Sequence, residues 1–296
     1  ETLGANAVPM VIPLGAEKDF AGIIDLISMK AVHFSDEDEG RTRVYHEIPD
    51  EMREEAKKWR ANLVEKCAEQ CDDILAKFLE GGELSEEEIH GVIRKATIAR
   101  RAIPVYCGAA FKNKGIQTLL DGIVNFLPSP VDTPPIIGIK GGTDEELKRM
   151  PSDAEHFSAM AFKTAFDKHM GKLTYIRIYS GQIKAGAMVF NSTQDSDQRI
   201  GRILRMHANR QEVIEEAGCG DIVAVAGLQK TRTGDTICCR ENPIVLAAIE
   251  FPTPVMSVSV VPSGKLDEEK MSHALHTLAD EDPTFIVHYN QETRQT

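Results

Sequence analysis

A cluster of prolines near the middle of the chain is the feature that most limits how the chain can fold. Four prolines lie within eight residues, at Pro128, Pro130, Pro134 and Pro135. Proline lacks a backbone N–H and has a fixed φ, so this cluster cannot lie inside a helix or a central strand. We therefore expect a stiff linker between domains, and a length of 296 residues suits about two domains.

Before the linker, short apolar runs alternate with helical patterns. Residues 7–13 and 103–107 are apolar and are bounded by turn residues, which predicts two buried strands. The second run leads through a loop into an amphipathic helix with apolar residues at helical spacing from Ile116 to Leu127. This alternation predicts the last part of an α/β domain with a parallel sheet, interrupted by a long insertion.

The insertion carries most of the negative charge. Of a net charge of −12, residues 36–88 contribute 18 acidic against 8 basic side chains, a balance of −10. Apolar residues spaced by three or four from Met52 to Phe78 predict one long amphipathic helix that ends at Gly81 and Gly82. Ser85 and Glu88 predict a capping box at the start of another helix. The acidic run suits a docking surface or a merely solvated helix face.

After the linker the pattern changes to short strands separated by glycines. Six segments, 157–164, 173–179, 187–191, 199–206, 221–227 and 236–239, predict a small antiparallel β-barrel. A second boundary follows at residues 251–254. Beyond it, strands at 255–261 and 285–289 flank a helix that begins near Asp267, which predicts a partial βαβ unit. This unit is too small to cover its own core, so we expect its other half downstream.

Composition excludes several classes of protein. The chain is 42% hydrophobic and 27% charged, which argues against disorder and against a disulfide scaffold. No apolar run approaches the roughly 20 residues of a membrane span, and the first residues lack both Met and a leader pattern, as in a piece of a longer protein. The six cysteines show no C-x-x-C spacing, which indicates a reduced, cytoplasmic protein. Cys67 and Cys71 suit a shared metal or, preferably, apolar packing in a helix seam.

Catalytic signatures are absent from the sequence. There is no phosphate loop and no H-E-x-x-H, G-x-S-x-G or G-x-G-x-x-G motif, so we predict neither catalytic nor metal-binding residues. The short D-x-x-G pattern at Asp19 occurs easily by chance. The loop at residues 107–115 is more specific, because it joins a buried strand to a helix at the edge where open α/β sheets bind ligands. A structural turn would look similar, and both interpretations remain open.

A basic stretch, residues 198–211, lies in the barrel region and contains no acidic residue. Such a patch in an acidic chain suits contact with RNA phosphates, and a solvated barrel rim suits it equally well. The candidate RNA contacts are Arg199, Arg202, Arg205 and Arg210 in this stretch, with Lys163 and Lys172 from a second basic cluster.

Taken together, several segments resemble the elongation factor G family of translational GTPases. They are residues 3–9, 107–115, 127–132, 175–181, 233–236 and 281–285. The resemblance implies a multidomain α/β plus β fold. Residues 1–135 would be the C-terminal part of a P-loop GTPase α/β domain with an acidic helical insertion at about 17–100. Residues 136–252 would be the family's β-barrel second domain, and residues 253–296 the first half of a ferredoxin-like third domain.

The resemblance also implies a nucleotide site. In the family pattern, the loop formed here by Gly108, Ala109, Ala110 and Phe111 contacts the guanine of GTP or GDP. The Ala110 N–H would meet guanine O6, and Phe111 would lie near the base. Ala109 replaces the family's usual Ser, which removes a hydroxyl that steadies the base-reading Asp. The phosphate loop, switch regions, N-K-x-D motif and Mg²⁺ contacts would lie in the missing part, so this chain alone should be inactive and bind nucleotide weakly.

The implied function is GTP-dependent translocation of tRNA and mRNA on the ribosome. In the family, the barrel contacts small-subunit RNA and the insertion faces a stalk protein, whereas tRNA and mRNA are moved indirectly and no membrane is involved. The alternatives are a non-enzymatic ribosome-binding module and a paralogue acting in ribosome recycling. The long insertion argues against a release-factor or ribosome-protection type.

Overall fold

The computed structural model describes residues 4–35, 37–167, 169–208, 210–262 and 264–290. The chain divides into two compact units, Glu1–Pro128 and Ser129–Thr296. Each unit has its own apolar clusters among the described residues. Within the described residues, no helix is both long and apolar enough to cross a bilayer.

The first unit begins with strands that belong to two sheets. They are β1 (Ala7–Pro9), β2 (Val11–Leu14), β3 (Gly22–Asp25), β4 (Lys30–Phe34) and β5 (Arg43–His46), of which β2 to β5 form an antiparallel sheet in chain order. The single strand predicted at 7–13 is wrong. The chain changes sheets at Met10, whose N–H donates to Val105 O at 2.9 Å while its carbonyl accepts from Leu26 N at 3.1 Å.

Three helices follow: α1 (Asp50–Ala68), α2 (Asp72–Leu79) and α3 (Glu86–Ile98). The prediction of one helix from Met52 to Phe78 is wrong, because the chain leaves the helical conformation at Cys71, which has φ −150°. Asp72 and Asp73 then begin α2, where their negative charge favours a helix N-terminus. The predicted capping box is confirmed: Glu88 N–H donates to Ser85 Oγ, and Ser85 N–H donates to the Glu88 carboxylate.

The insertion is therefore not helical throughout, since β3, β4 and β5 precede its helices. Arg60 of α1 connects the two parts. Its guanidinium donates to the carbonyl oxygens of Leu26 and Ile27, at 2.7 and 3.0 Å, and to that of Leu84 at 3.2 Å. A charged group that binds three backbone carbonyls fixes the sheet, α1 and the start of α3 relative to one another.

The end of the first unit follows the predicted strand–loop–helix order. Strand β6 (Ile103–Val105) pairs in parallel with β1, and after the 107–115 loop the chain forms α4 (Ile116–Phe126). Phe126 is buried at the carboxyl end of α4, and its ring stacks on His90 of α3 at 5.3 Å. The loop thus lies between a parallel strand pair and a helix packed on α3.

The second unit contains the many short strands that the glycine pattern predicts. A small sheet consists of β7 (Ile136–Lys140), β8 (Glu146–Arg149) and a later strand, Ile244–Leu246. Strands β9 to β18 are Ser158–Asp167, Gly171–Ser180, Ile183–Lys184, Met188–Asn191, Ser196–Arg199, Ile203–His207, Arg210–Ile214, Glu216–Ala217, Ile222–Ala226 and Thr236–Cys238. The Ile244–Leu246 strand is β19.

In the described part of the chain, eight of these strands form one antiparallel sheet in the order β13-β12-β18-β9-β10-β17-β14-β15. Residues 200–202 link β13 at one edge to β14 near the other. Within the link, Ile200 N–H donates to Ala187 O beside β12, and Gly201 N–H donates to Ala226 O in β17, at 2.9 and 2.7 Å. Because the link contacts both sides, the sheet curves into a barrel. Val189 of β12, Ile203 of β14 and Ile176 of β10 share its apolar core.

The last described element is α5 (Lys265–Glu281). The strands predicted at 255–261 and 285–289 are wrong, because neither of these described segments forms a strand. A strand needs a partner for its backbone N–H and C=O groups, and among the described residues neither segment pairs with one. Val255 and Met256 remain 96% and 83% exposed. A ferredoxin-like βαβ arrangement is therefore not formed by the described residues.

Candidate functional site: the 107–115 loop and the basic stretch

The 107–115 loop folds tightly back on itself. Ala109 N–H donates to Lys114 O at 2.8 Å, and Lys114 N–H donates to Ala109 O at 3.2 Å. Gly115 has φ +83°, and a Cβ added to it would lie 2.9 Å from Cys107 O and 3.0 Å from the Gly108 Cα. Only glycine combines this left-handed backbone with such close approach. The loop's shape is therefore set by its backbone.

Ala110 and Phe111 lie at the exposed tip of this loop, in a single 3₁₀ turn that spans Ala110–Lys112. Within the described residues, the Ala110 N–H donates to no acceptor, whereas the N–H groups of Lys112 and Asn113 bond back to Ala109 and Ala110. The Phe111 ring is fully exposed. The tip thus presents a free backbone donor beside an aromatic ring, which can contact an acceptor on the edge of a planar ligand.

The turn between β4 and β5 packs against the loop. A Cβ added at Gly40 would lie 2.7 Å from Lys112 O and 2.9 Å from Asn113 O. Gln117 at the start of α4 donates its side-chain N–H to Gly40 O at 2.6 Å, and Arg43 forms an ion pair with Asp121 of α4. The insertion therefore supports the loop directly, through its sheet.

An open cleft of about 900 Å³ lies between this turn and the loop. Its wall includes Phe111 and more cationic than anionic side chains, so it suits an anionic ligand. The charged residues that line it are Lys18, Asp19, Glu39, Arg41, Lys112 and Lys114.

Two partly buried titratable groups, His33 and Cys107, lie beside and within the loop. His33 of β4 lies edge to face with His46 at 5.1 Å. Burial, together with the charges of His46 and Lys114, lowers the pKa of His33 below its usual 6.5. Burial raises the pKa of the Cys107 thiol, which keeps it protonated at neutral pH. His33 and the Cys107 thiol are therefore neutral at physiological pH.

The basic stretch lies mostly on strands β13 to β15. Arg205 forms a long, exposed ion pair with Glu212 at 3.8 Å, as its opposite neighbour on β15. Arg199 donates to Gly186 O at 3.0 Å, and Arg202 contacts the sulfur of Met170 at 3.5 Å. Arg210 is exposed and lies opposite His207 at the tip of the hairpin.

The two candidate lysines occupy different environments. Lys163 of β9 is exposed, with its ammonium 5.7 Å from the centre of the Tyr175 ring. Lys172 of β10 is only 4% exposed, and its ammonium lies 3.2 Å from both Asp280 Oδ2 and Gln229 O. Lys172 is therefore occupied within the protein and is a poor candidate for an RNA contact.

Comparison with known families adds to this geometry. Residues 156–240 match the family model described as elongation factor G domain 2, and residues 251–296 match the model described as elongation factor G domain III. Both matched segments are therefore similar to elongation factor G, and they follow one another in that family's domain order.

A solved structure supports the same architecture. A crystal structure of a protein from Thermus thermophilus is similar to the chain with a TM-score of 0.76 and 25% identity. The match covers 99% of this chain and 41% of the other, so the chain spans less than half the length of that protein. The mixed α/β architecture with many antiparallel sheets is consistent with domains 2 and III of elongation factor G.

The two matches assign the barrel to domain 2 and α5 to domain III of elongation factor G. The domain 2 match spans strands β9 to β18, which contain the basic stretch. The domain III match contains α5. The 107–115 loop lies outside both matches, so its assignment rests on its own geometry and on the motif.

Sequence reasoning missed several residues around the cleft. The discounted D-x-x-G segment lines it through Asp19, and the β4–β5 turn lines it through Arg41. The glycine of that motif, Gly22, is required for packing within the sheet, because a Cβ there would lie 2.1 Å from Val32 O of the neighbouring strand. The one sequence signal for this cleft was the turn glycine Gly40. Its contact with the loop could not be read from local sequence, because the two segments are more than 70 residues apart.

Proposed function

We propose that the chain is part of a GTP-dependent translation elongation factor that moves tRNA and mRNA through the ribosome. The observation that carries this proposal is the order of the segments along the chain. A strand–loop–helix unit with a free backbone donor precedes, in one chain, consecutive matches to domains 2 and III of elongation factor G. A ligand-binding loop at the carboxyl end of a parallel strand is typical of nucleotide-binding α/β domains.

In this proposal the 107–115 loop reads the guanine of GTP or GDP. Ala110 N–H donates to guanine O6, Phe111 lies beside the base, and Gly108 and Ala109 shape the turn. The free N–H and the exposed ring fit one edge of a base. When bound, GTP supplies hydrolysable phosphate, with Mg²⁺ held through residues outside this sequence. A single backbone donor selects for an acceptor and contributes only about 1 kcal/mol, so the chain alone should bind nucleotide weakly.

The barrel and the insertion provide two docking surfaces of opposite charge. We assign small-subunit RNA to the basic stretch, because Arg199, Arg202 and Arg210 have no carboxylate within ion-pair distance among the described residues. Such cations are free to replace the counterions of RNA phosphates. We assign a ribosomal stalk protein to the acidic helices α1 to α3. The domain limits at about 135 and 252 and a cytoplasmic location belong to the same proposal.

Ribosome co-sedimentation across a salt series tests the docking surfaces. The chain should pellet with ribosomes at low salt, and Arg202→Glu with Arg205→Glu should weaken the association at least tenfold, since two attractive contacts become repulsive. Charge reversal at Lys184, an exposed lysine of the same barrel outside the basic stretch, is the control. Unchanged binding of the double variant at every salt concentration would contradict the assignment of the basic stretch.

A titration with fluorescent GDP tests the nucleotide part separately. We expect no saturation at micromolar chain and no GTP hydrolysis above background, because the sequence has no phosphate loop. Micromolar or tighter affinity would show that the chain holds nucleotide by itself. A phosphate loop and N-K-x-D motif encoded upstream of Glu1 would establish the GTPase in the parent protein.

The second candidate is a ribosome-binding module without nucleotide chemistry. The free cations of the basic stretch favour it, since they need no nucleotide to bind RNA. An upstream reading frame without the two GTPase motifs would support it. A factor specialised in ribosome recycling shares these domains, and translocation and recycling assays with the parent protein distinguish the two.

A further inference from the structure

Helix α5 is attached to the barrel in an unusual way. None of its described side chains is buried, and its apolar residues Met271, Leu275 and Leu278 are all partly or largely exposed. In the described part of the chain, every hydrogen bond between α5 and the barrel comes from Asp280 or Glu281 in its last turn. Apolar burial therefore contributes little to the docking of α5, and polar contacts at one end decide it.

Three barrel groups hold this last turn. Thr164 Oγ1 of β9 donates to Asp280 O, and Phe166 N–H of β9 donates to Glu281 Oε1 at 2.7 Å. Lys172 of β10 donates to Asp280 Oδ2 at 3.2 Å. The first two contacts are single hydrogen bonds. The third joins two full charges, so we expect it to contribute most to holding α5 on the barrel.

The Lys172 ammonium has few alternatives to Asp280. Its side chain is 4% exposed, and its other acceptor is Gln229 O at 3.2 Å. A buried charge that loses its partner is strongly disfavoured, so the ammonium stabilises the docked position of α5. Asp280 lies in the last turn of α5, at the negative end of the helix dipole, which adds to the attraction for the Lys172 ammonium.

We propose that Lys172 and Asp280 form an electrostatic latch that determines whether α5 stays docked on the barrel. Asp280 is 42% exposed and faces a cleft of about 400 Å³ that is also lined by Lys230 and Arg232. Solvent ions reach the carboxylate side of the pair, so the latch can open without unfolding the barrel. This inference concerns the mobility of α5 and does not depend on the proposed function.

Hydrogen exchange of the whole 296-residue chain tests the latch. An undocked helix of this length is only marginally stable, so its amides exchange faster. Lys172→Met keeps the apolar stem and removes the charge. We expect exchange within α5 to accelerate about tenfold, with β10 and β17 of the barrel still protected. Asp280→Asn should act in the same direction. Lys163→Met, at an exposed lysine of the neighbouring strand, is the control and should leave α5 unchanged.

A double-variant cycle separates a latch from two independent defects. If the two side chains act through one another, Lys172→Met combined with Asp280→Asn accelerates exchange no more than the stronger single variant. If the double variant instead accelerated exchange by the product of the two single effects, the latch proposal would be overturned. It would also be overturned if Lys172→Met changed α5 no more than Lys163→Met does, or if the barrel amides lost protection together with α5.

Discussion

The 107–115 loop and the basic stretch are both exposed candidate sites, but they are held by different kinds of contact. The loop is shaped by backbone approach, with Gly115 against Cys107 and Gly40 of another segment against Lys112. The basic stretch presents long side chains from regular strands, and few of them have fixed partners. A site built from backbone tolerates little change of shape, whereas a site built from exposed cations tolerates change of shape but not of charge.

Among changes within the two candidate sites, the largest expected effect comes from Gly115→Ala. The new methyl group would meet Cys107 O and the Gly108 Cα in a left-handed backbone conformation, so we expect the first unit to lose about 2–4 kcal/mol of unfolding free energy. Urea unfolding followed by Trp59, the single tryptophan, reports on this unit. Gly91→Ala in α3 is the control. It has no atom within 4 Å of the added Cβ and should stabilise slightly. Equal effects of the two variants would contradict a backbone-built loop.

The sequence was sufficient for features that depend on neighbouring residues. Ser85 and Glu88 predict the start of α3, because both halves of a capping box lie within one turn. The strand, loop and helix around residues 107–115 follow from local periodicity in the same way. The barrel strands follow from turn glycines that interrupt short apolar runs.

Features that depend on distant partners could not be predicted. The chain changes sheets at Met10 because its N–H donates to Val105 of β6 while its carbonyl accepts from Leu26, just after β3. It leaves the helix at Cys71, where a new helix begins at Asp72. The sequence places Lys172 in a basic region and predicts an exposed charge. Its burial depends on Asp280, 108 positions away, which local patterns cannot show. The β3–β5 sheet was missed because helical patterns dominate the rest of the insertion.

Neutralising the basic stretch should affect binding without affecting stability. In Arg199→Gln with Arg202→Gln and Arg210→Gln, three cations without carboxylate partners are removed. The slope of log affinity for ribosomes against log salt should fall by about 2–3, since each phosphate contact contributes about 0.7–0.9. The measurement is co-sedimentation at several salt concentrations. Arg240→Gln is the control, because Arg240 already pairs with Asp197 at 2.7 Å. A slope unchanged by the triple variant would assign RNA binding elsewhere.

The loop region should respond to pH, and the basic stretch should not. Because the folded state lowers the pKa of His33, the unfolded chain binds a proton more readily. His33 therefore takes nothing from the stability of the first unit above about pH 6.5, and the unfolding free energy decreases as pH falls from that value through the lowered pKa of folded His33. His33→Gln should flatten this dependence in Trp59-monitored unfolding at pH 7.5 and about 5.5. His156→Gln, in the other unit, should leave the wild-type dependence; an equal loss in both variants would exclude His33 as the cause.

The smallest expected effect is that of Phe111→Ala, which tests whether the aromatic tip of the loop has a structural role. The ring is fully exposed, so its removal should change the unfolding free energy by no more than about 0.5 kcal/mol. Phe126→Ala is the matched comparison in the same unit. Its ring is 2% exposed and stacks on His90, so we expect a loss of about 3–5 kcal/mol. If Phe111→Ala were also strongly destabilising, the ring would be needed for packing. If the unfolding free energy is unchanged, the Phe111 ring has no packing role. It then remains an exposed aromatic group beside a free backbone donor, which is what a binding surface for a planar ligand requires.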